Sequence, residues 1–170
     1  DATVPFQEVV KRAKDEGYTE PDPKIDLSGI DVQRKILILA RESGHKLELD
    51  EIQNRSFLPD DCLEAQTVDE LYKRLLEHED HFQQLFKETN EQGKKLKFIA
   101  SFDKESGHAE IGLQAYLAEH PFYSLKGKDN VVLFYTKRYH DYPLIVQGAG
   151  AGSAVTASGI FADILRIADA

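Results

Sequence analysis

The 170-residue sequence has no methionine or tryptophan, and Cys62 is its single cysteine. One cysteine excludes a disulfide within the chain and favours a reducing compartment. The longest strongly apolar run, Ile36–Ala40, is far shorter than the roughly 20 residues that cross a bilayer. A signal-peptide pattern is also absent. These features predict a cytoplasmic protein that makes no membrane contact.

Positive charge is also scarce. The chain has 21 Lys and Arg against 30 Asp and Glu, for a net charge of −9, and no block of like basic charges stands out. Phosphate backbones and anionic lipid headgroups repel such a chain. We therefore expect neither nucleic acid nor a membrane surface as a partner.

The sequence starts at Asp1 on a helical pattern and not on an initiator methionine. We therefore expect it to be cut from a longer protein. The dinucleotide-binding fingerprint G-x-G-x-x-G is absent from the 170 residues.

Hydrophobic periodicity predicts helices mainly in the first half of the chain and strands mainly in the second. Ser28 and Thr67 resemble helix caps, and Pro21 and Pro23 indicate an ordered loop over 18–27. The predicted helices cover 6–14, 29–43, 67–77, 79–92 and 153–167, and the predicted strands cover 55–58, 96–102, 109–116, 130–135 and 142–147. This order favours an α+β fold with a mixed, mainly antiparallel sheet and helices packed on one face.

A cluster of charged residues surrounds the loop that leads into the helix over 29–43. Its members are Glu20, Asp22, Asp26, Asp31 and Lys35. In the simplest interpretation, Asp31 caps the helix and forms an ordinary surface ion pair with Lys35, four residues on. The helix is otherwise apolar and should be largely buried, so Lys35 could instead lie at a cleft. There its pKa would fall and it could exchange a proton near neutrality.

Glycines at 148, 150 and 152 follow a predicted strand and precede a predicted helix. Such a turn can direct backbone amides at a ligand or phosphate. It can equally be a tight turn that lets a helix of small residues approach a sheet, and the pattern alone leaves both interpretations open.

Residues 17–35, GYTEPDPKIDLSGIDVQRK, resemble the signature of homoserine dehydrogenases. In that family a Gly-Tyr-x-Glu-Pro-Asp-Pro loop precedes an Asp-Leu-x-Gly-x-Asp-Val-x-Arg-Lys helix. The sequence departs from it at Lys24 and Ile25 only. The segment from Pro143 to Asp163 is similar to the family's C-terminal motif, so the resemblance covers essentially the whole chain. The middle of the chain is most similar to the branch fused to aspartokinase.

The resemblance implies an oxidoreductase that interconverts L-aspartate 4-semialdehyde and L-homoserine, in threonine, methionine and isoleucine synthesis. It implies Lys35 as the proton donor, with Asp31 as a second catalytic residue. It implies substrate binding by Glu20, Asp26, Asp31 and, less directly, Tyr18. Gly152 and Gly150 would contact an NADP or NAD cofactor.

The resemblance also implies a division of labour along the chain. Residues 1–147 would form the substrate-binding, catalytic and dimerisation domain. Residues 148–170 would return to a nucleotide-binding Rossmann half that precedes this sequence. We therefore expect the chain alone to be inactive or nearly so. The edges of its small sheet predict a homodimer or higher homo-oligomer.

The six histidines are scattered, so we predict no metal site. His78 and His81 are interpreted as solvated helix residues, and Cys62 has no evident base partner. The alternative to an enzyme is a non-catalytic α+β module that binds an amino acid or mediates dimerisation. Convergence of Glu20, Asp31 and Lys35 on one pocket would favour the enzyme, and dispersal of these side chains to solvent would favour the module.

Overall fold

A computed structural model of the chain describes residues 3–125, 129–150 and 153–168. The chain divides after Leu117 into two units. The first unit contains six α-helices and three strands in the order α1 Phe6–Asp15, α2 Pro23–Leu27, α3 Ile30–Glu42, β1 Gln53–Arg55, α4 Asp60–Glu64, α5 Val68–Glu77, α6 Glu79–Glu91, β2 Lys95–Phe102 and β3 Ala109–Tyr116. A short 3-10 helix, Leu49–Glu51, precedes β1.

The sheet of the first unit has the order β1-β3-β2. Strands β2 and β3 form the predicted antiparallel hairpin, with Lys95 opposite Tyr116 and Phe102 opposite Ala109. Strand β1 adds to β3 in parallel. Mixed pairing with packed helices confirms the predicted α+β class.

Two hydrophobic clusters hold the first unit together. One joins α1, α4, α5 and α6, and its buried members are Val10, Leu58, Cys62, Ala65, Leu71, Leu75 and Phe82. The other lies between α3 and the sheet, and its buried members are Ile36, Ala40, Leu47, Ile52, Ala109 and Ile111. Helix α3, which carries Lys35, is therefore anchored along one side.

The second unit contains a 3-10 helix, Pro121–Ser124, followed by β4 Asp129–Phe134, β5 Leu144–Ala149 and α7 Ser153–Ala168. Strands β4 and β5 pair with each other as a separate antiparallel sheet. Strands β4 and β5 and helix α7 lie within two residues of the predicted bounds, whereas the 3-10 helix was not predicted. The sequence suggested one sheet where the structure has two.

Three local predictions were wrong. The predicted loop over 18–27 contains α2, because Pro23 occupies a first-turn position where its missing N–H costs no hydrogen bond. The Asp22 carboxylate caps this helix by accepting the amide hydrogen of Lys24 at 3.0 Å. The strand expected over 55–58 is instead β1, and Leu58 is buried in the helical cluster.

The third wrong prediction concerns α3 itself. Ser28 ends α2, and Gly29 precedes α3 with φ of 78°. Only glycine adopts this left-handed geometry without strain. Moreover, α3 is not largely buried: Ile36 and Ala40 face the core, while Ile38 is 59% exposed. The apolar residues of α3 extend around more of the helix than the face that packs against the sheet.

Candidate functional site

Lys35 and Asp31 form an ion pair on the first two turns of α3. The Lys35 Nζ lies 2.8 Å from Asp31 Oδ2, and both side chains are more than half exposed, at 56% and 57%. An exposed pair at this spacing contributes little to stability, typically about 0.2–0.5 kcal/mol. The pair places the Lys35 ammonium beside a carboxylate at the exposed face of a helix that is anchored on its other side.

A second pair of acids lies at α2. The backbone N–H of Glu20 donates a hydrogen bond of 2.9 Å to Asp26 Oδ2. Asp26 was predicted to bind the substrate, and the side-chain contact that the structure gives it is this one with the Glu20 amide. This contact closes the loop onto α2 and leaves the Glu20 side chain exposed.

The loop and α2 are tied to the rest of the first unit by contacts from three directions. Lys24 Nζ donates to the carbonyl oxygen of Ala65 at 2.5 Å, and Asn54 Nδ2 donates to that of Ser28 at 2.8 Å. A Cβ at Gly29 would lie 2.5 Å from the Phe98 ring, so the backbone approaches the sheet closely there. These contacts hold the acidic residues on a fixed scaffold.

The described contacts thus bring the predicted residues together as two pairs, Glu20 with Asp26 and Asp31 with Lys35. Tyr18 is also exposed, at 57%. A shallow depression lined by Arg41, Gly44, His45, Lys46, Leu47 and Glu48 lies at the opposite end of α3, so the predicted residues do not form it. Within the part of the chain that the structure describes, Tyr18, Glu20, Asp31 and Lys35 are exposed and no wall encloses them.

The predicted cofactor glycines are placed only in part. Gly152 lies outside the described residues. Gly150 follows β5, and a Cβ there would overlap the Asn130 side chain of β4. The overlapping atoms are the amide end of the exposed Asn130 side chain, which can turn away, so the geometry at Gly150 gives no independent test of a cofactor contact.

The sequence analysis missed a cluster formed by Asp61, Cys62 and His78. His78 Nε2 lies 2.9 Å from Asp61 Oδ2, and the hydrogen bond lowers the pKa of that carboxyl. Cys62 is fully buried, and burial raises the pKa of its thiol to about 11. His78 was interpreted as simply solvated. Its partners lie 16 and 17 positions earlier, and no sequence spacing signals the contact.

The chain is thus an α+β domain in which an acidic loop leads to a lysine on a helix anchored along one side. The comparisons with known proteins make this specific. The family model for homoserine dehydrogenase matches residues 1–165. The chain belongs to this family.

The relatives with named functions are much longer than this chain. It is 46% identical over 162 residues to the maize bifunctional aspartokinase/homoserine dehydrogenase 1, chloroplastic. The aligned region covers 95% of this chain and 18% of the maize protein. The chain is 43% identical over 166 residues to the homoserine dehydrogenase of Saccharomyces cerevisiae. The aligned region covers 97% of this chain and 46% of the yeast protein. The chain therefore spans less than half of either relative.

Solved structures support the fold. A Candida auris protein of unknown function matches with a TM-score of 0.87 and 41% identity, over 96% of this chain and 46% of that one. The Staphylococcus aureus homoserine dehydrogenase matches with a TM-score of 0.73 and 22% identity, over 99% of this chain and 38% of that one. In residues 3–125, 129–150 and 153–168, no helix has both the length and the apolar character to cross a membrane.

Proposed function

We propose that this chain supplies the substrate site and the proton donor of an NAD(P)-dependent homoserine dehydrogenase. The enzyme would interconvert L-aspartate 4-semialdehyde and L-homoserine, a step in threonine, methionine and isoleucine synthesis. The observation that carries the proposal is the oriented Lys35 ammonium, 2.8 Å from Asp31 on a helix anchored by Ile36 and Ala40. Membership of the family supports it.

Lys35 would act at the carbonyl oxygen of the aldehyde. Reduction of a carbonyl builds negative charge on oxygen, and an ammonium within hydrogen-bond reach both stabilises that charge and delivers a proton. In the reverse direction the neutral amine would accept the hydroxyl proton. Asp31 would keep the ammonium pointed at the substrate, which requires the short contact that the structure has.

The acidic residues would recognise the other end of the substrate. An amino acid presents an ammonium group, and the exposed carboxylates of Glu20 and Asp31 are suited to accept its hydrogen bonds. Asp26 would hold the Glu20 backbone in place through its 2.9 Å contact. Tyr18 would line the same site.

The nicotinamide cofactor would supply the hydride, and most of its site would lie outside the described residues. We propose that residues 148–170, with Gly150 and Gly152, return to that site, while residues 1–147 carry substrate binding and dimerisation. Nothing in the described residues distinguishes NADP from NAD. The similarity to fused and unfused relatives is nearly equal, so the aspartokinase branch and the cytoplasmic location stay predictions.

We also propose that the enzyme is a homodimer or higher homo-oligomer through its sheets. Strand β5 is exposed along its whole length, and its apolar residues Leu144, Ile145 and Val146 are each at least 44% exposed. A copy of the same chain could cover such a strand. Sedimentation of the intact protein would show a monomer if this proposal is wrong.

The side chains of Glu20, Asp31 and Lys35 are exposed to solvent, which is the arrangement expected of a non-catalytic amino-acid-binding or dimerisation module. This module is therefore the second candidate function. The intact protein that carries this chain should be assayed for homoserine-dependent reduction of NADP⁺ and NAD⁺, beside the 170-residue chain alone. Turnover by the intact protein and almost none by the chain would support the proposal. An intact protein that binds homoserine without turnover would support the module.

A further inference from the structure

Short helix α4 and the end of α5 bring three metal-ligand side chains together. Asp61 and Cys62 lie in the first turn of α4, and His78 lies between α5 and α6. One carboxylate oxygen, the Cys62 sulfur and one imidazole nitrogen all lie within 4.8 Å of one another.

These donors match the preferences of zinc, which takes thiolate, imidazole and carboxylate ligands in a tetrahedron. At its usual bond lengths, such ligand atoms stand about 3.3–3.6 Å apart. His78 Nε2 and Asp61 Oδ2 are already 2.9 Å apart, so they need to open slightly around an ion. The Cys62 sulfur lies within 4.8 Å of both other ligand atoms, so each of these distances needs to shorten by at most about 1.5 Å.

We propose that Asp61, Cys62 and His78 form a zinc site with one coordination position left for water. The ion would clamp the five-residue α4 to the junction of α5 and α6. On binding, the Cys62 thiol would release its proton to solvent and the thiolate would bond to the metal. The proton on His78 Nε2, which faces the Asp61 carboxylate, would move through solvent to Nδ1, so that Nε2 presents its lone pair to the metal.

Burial gives the site one inner and one outer side. Cys62 is fully buried, whereas the side chains of Asp61 and His78 are 38% and 35% exposed, so an ion can enter from their side. A thiol in apolar surroundings stays protonated and unreactive without a metal. Coordination of a divalent ion is what would make this cysteine a thiolate.

Nearby charges act in both directions. Arg74 Nη1 lies 3.8 Å from Asp61 Oδ2 and opposes a cation. Its Nη2, however, lies 2.5 Å from Glu70 Oε1, which balances much of the guanidinium charge. Glu77 adds negative potential at the thiol. Among the described residues, two carboxylates near the cluster, Glu70 and Glu77, thus stand against the charge of Arg74.

Cobalt(II) titration of the intact protein tests the site, because a cobalt–thiolate bond gives a charge-transfer band that other ligands do not. We expect this band in the wild-type protein and its loss in Cys62→Ser. Asp61→Asn and His78→Gln change partly exposed residues, so they test the site even if the variant of the buried cysteine fails to fold. Identical spectra in the wild-type protein and all three variants would overturn the proposal.

Zinc competition against a colorimetric chelator measures the affinity. Loss of a direct ligand should weaken zinc binding at least as much as the 10–100-fold that changes to outer residues cost. His78→Gln should therefore lose more than about tenfold in zinc affinity. His81→Gln is the matched control, since His81 Nε2 contacts the Phe57 carbonyl oxygen and not the cluster. Equal affinity in the two variants would contradict the zinc site.

Discussion

The two units of the chain bury their apolar residues very differently. Residues 3–117 contain two hydrophobic clusters with thirteen buried apolar side chains in all. In the described parts of 118–168, no residue is buried. Helix α7 leaves its large apolar residues exposed, namely Val155, Ile160, Phe161, Ile164, Leu165 and Ile167.

This contrast shows which structural features the chain stabilises by itself. A two-stranded sheet or a single helix is marginal in water without packing. The first unit supplies that packing from its own residues, and the scaffold of Lys35 belongs to it. We expect the second unit to gain its stability from contacts with a surface outside itself.

The largest stability effect should come from the helical cluster of the first unit. Leu75→Ala in α5 removes a fully buried side chain, and Leu76→Ala removes its neighbour, which is 53% exposed. We expect Leu75→Ala to lower the free energy of unfolding by about 2–5 kcal/mol. Leu76→Ala should change it by about 0.5 kcal/mol or less. Urea unfolding measures both, and equal losses would mean that the cluster does not stabilise the unit.

The junction of α2 and α3 should be almost as sensitive. Gly29 combines φ of 78° with a Cβ position 2.5 Å from the Phe98 ring, whereas Gly17 has φ of 74° and open space. Gly29→Ala should cost about 2–4 kcal/mol, from the left-handed backbone and the overlap together. Gly17→Ala should cost about 1–2 kcal/mol from the backbone alone. Coinciding unfolding curves for the two variants would contradict this, because they would mean that the Phe98 side chain moves aside at little cost.

Helix capping in the first unit should give a smaller effect. Thr67 Oγ1 accepts the Glu70 amide hydrogen at 3.1 Å at the start of α5. Thr67→Ala should lower the unfolding free energy by about 1 kcal/mol, and Thr67→Ser should retain most of it. Thermal unfolding of the pair distinguishes loss of the cap from loss of the methyl group.

The smallest effect is expected in the second unit. Ile164 is 56% exposed, so Ile164→Ala in the 170-residue chain should change unfolding by about 0.5 kcal/mol or less. In the intact protein the same substitution should cost clearly more if another surface covers α7. If Ile164→Ala has an equally small effect in the 170-residue chain and in the intact protein, no other surface covers α7 and the expectation for the second unit is wrong.

Local patterns in the sequence predicted much of the fold. Thr67 and Gly93 mark the bounds of α5 and α6, and alternation located the β2–β3 hairpin. The parallel pairing of β1 with β3 was missed, because it joins residues far apart in sequence. The apolar stretch of α3 was taken as a sign of burial, yet Ile38 is exposed here, since hydrophobicity does not say which surface covers it.

The set of site residues stays a prediction from the motif, which names Glu20, Asp31 and Lys35. The spacing of the last two correctly implied one helix face. Enclosure of the site cannot be deduced from 170 residues that span less than half of the relatives. The contact of His78 with Asp61 depends on how α4 packs, which no local pattern encodes.

The most direct test of the account is the role of Lys35. Lys35→Ala and Lys46→Ala should be compared in the intact protein, by homoserine-dependent reduction of NADP⁺ and NAD⁺. Lys46 is an exposed lysine just beyond the other end of α3. Loss of a proton-transfer group should lower kcat by about 10²–10⁴-fold in Lys35→Ala, with Lys46→Ala unchanged. A folded Lys35→Ala variant with wild-type kcat would contradict the proposed mechanism.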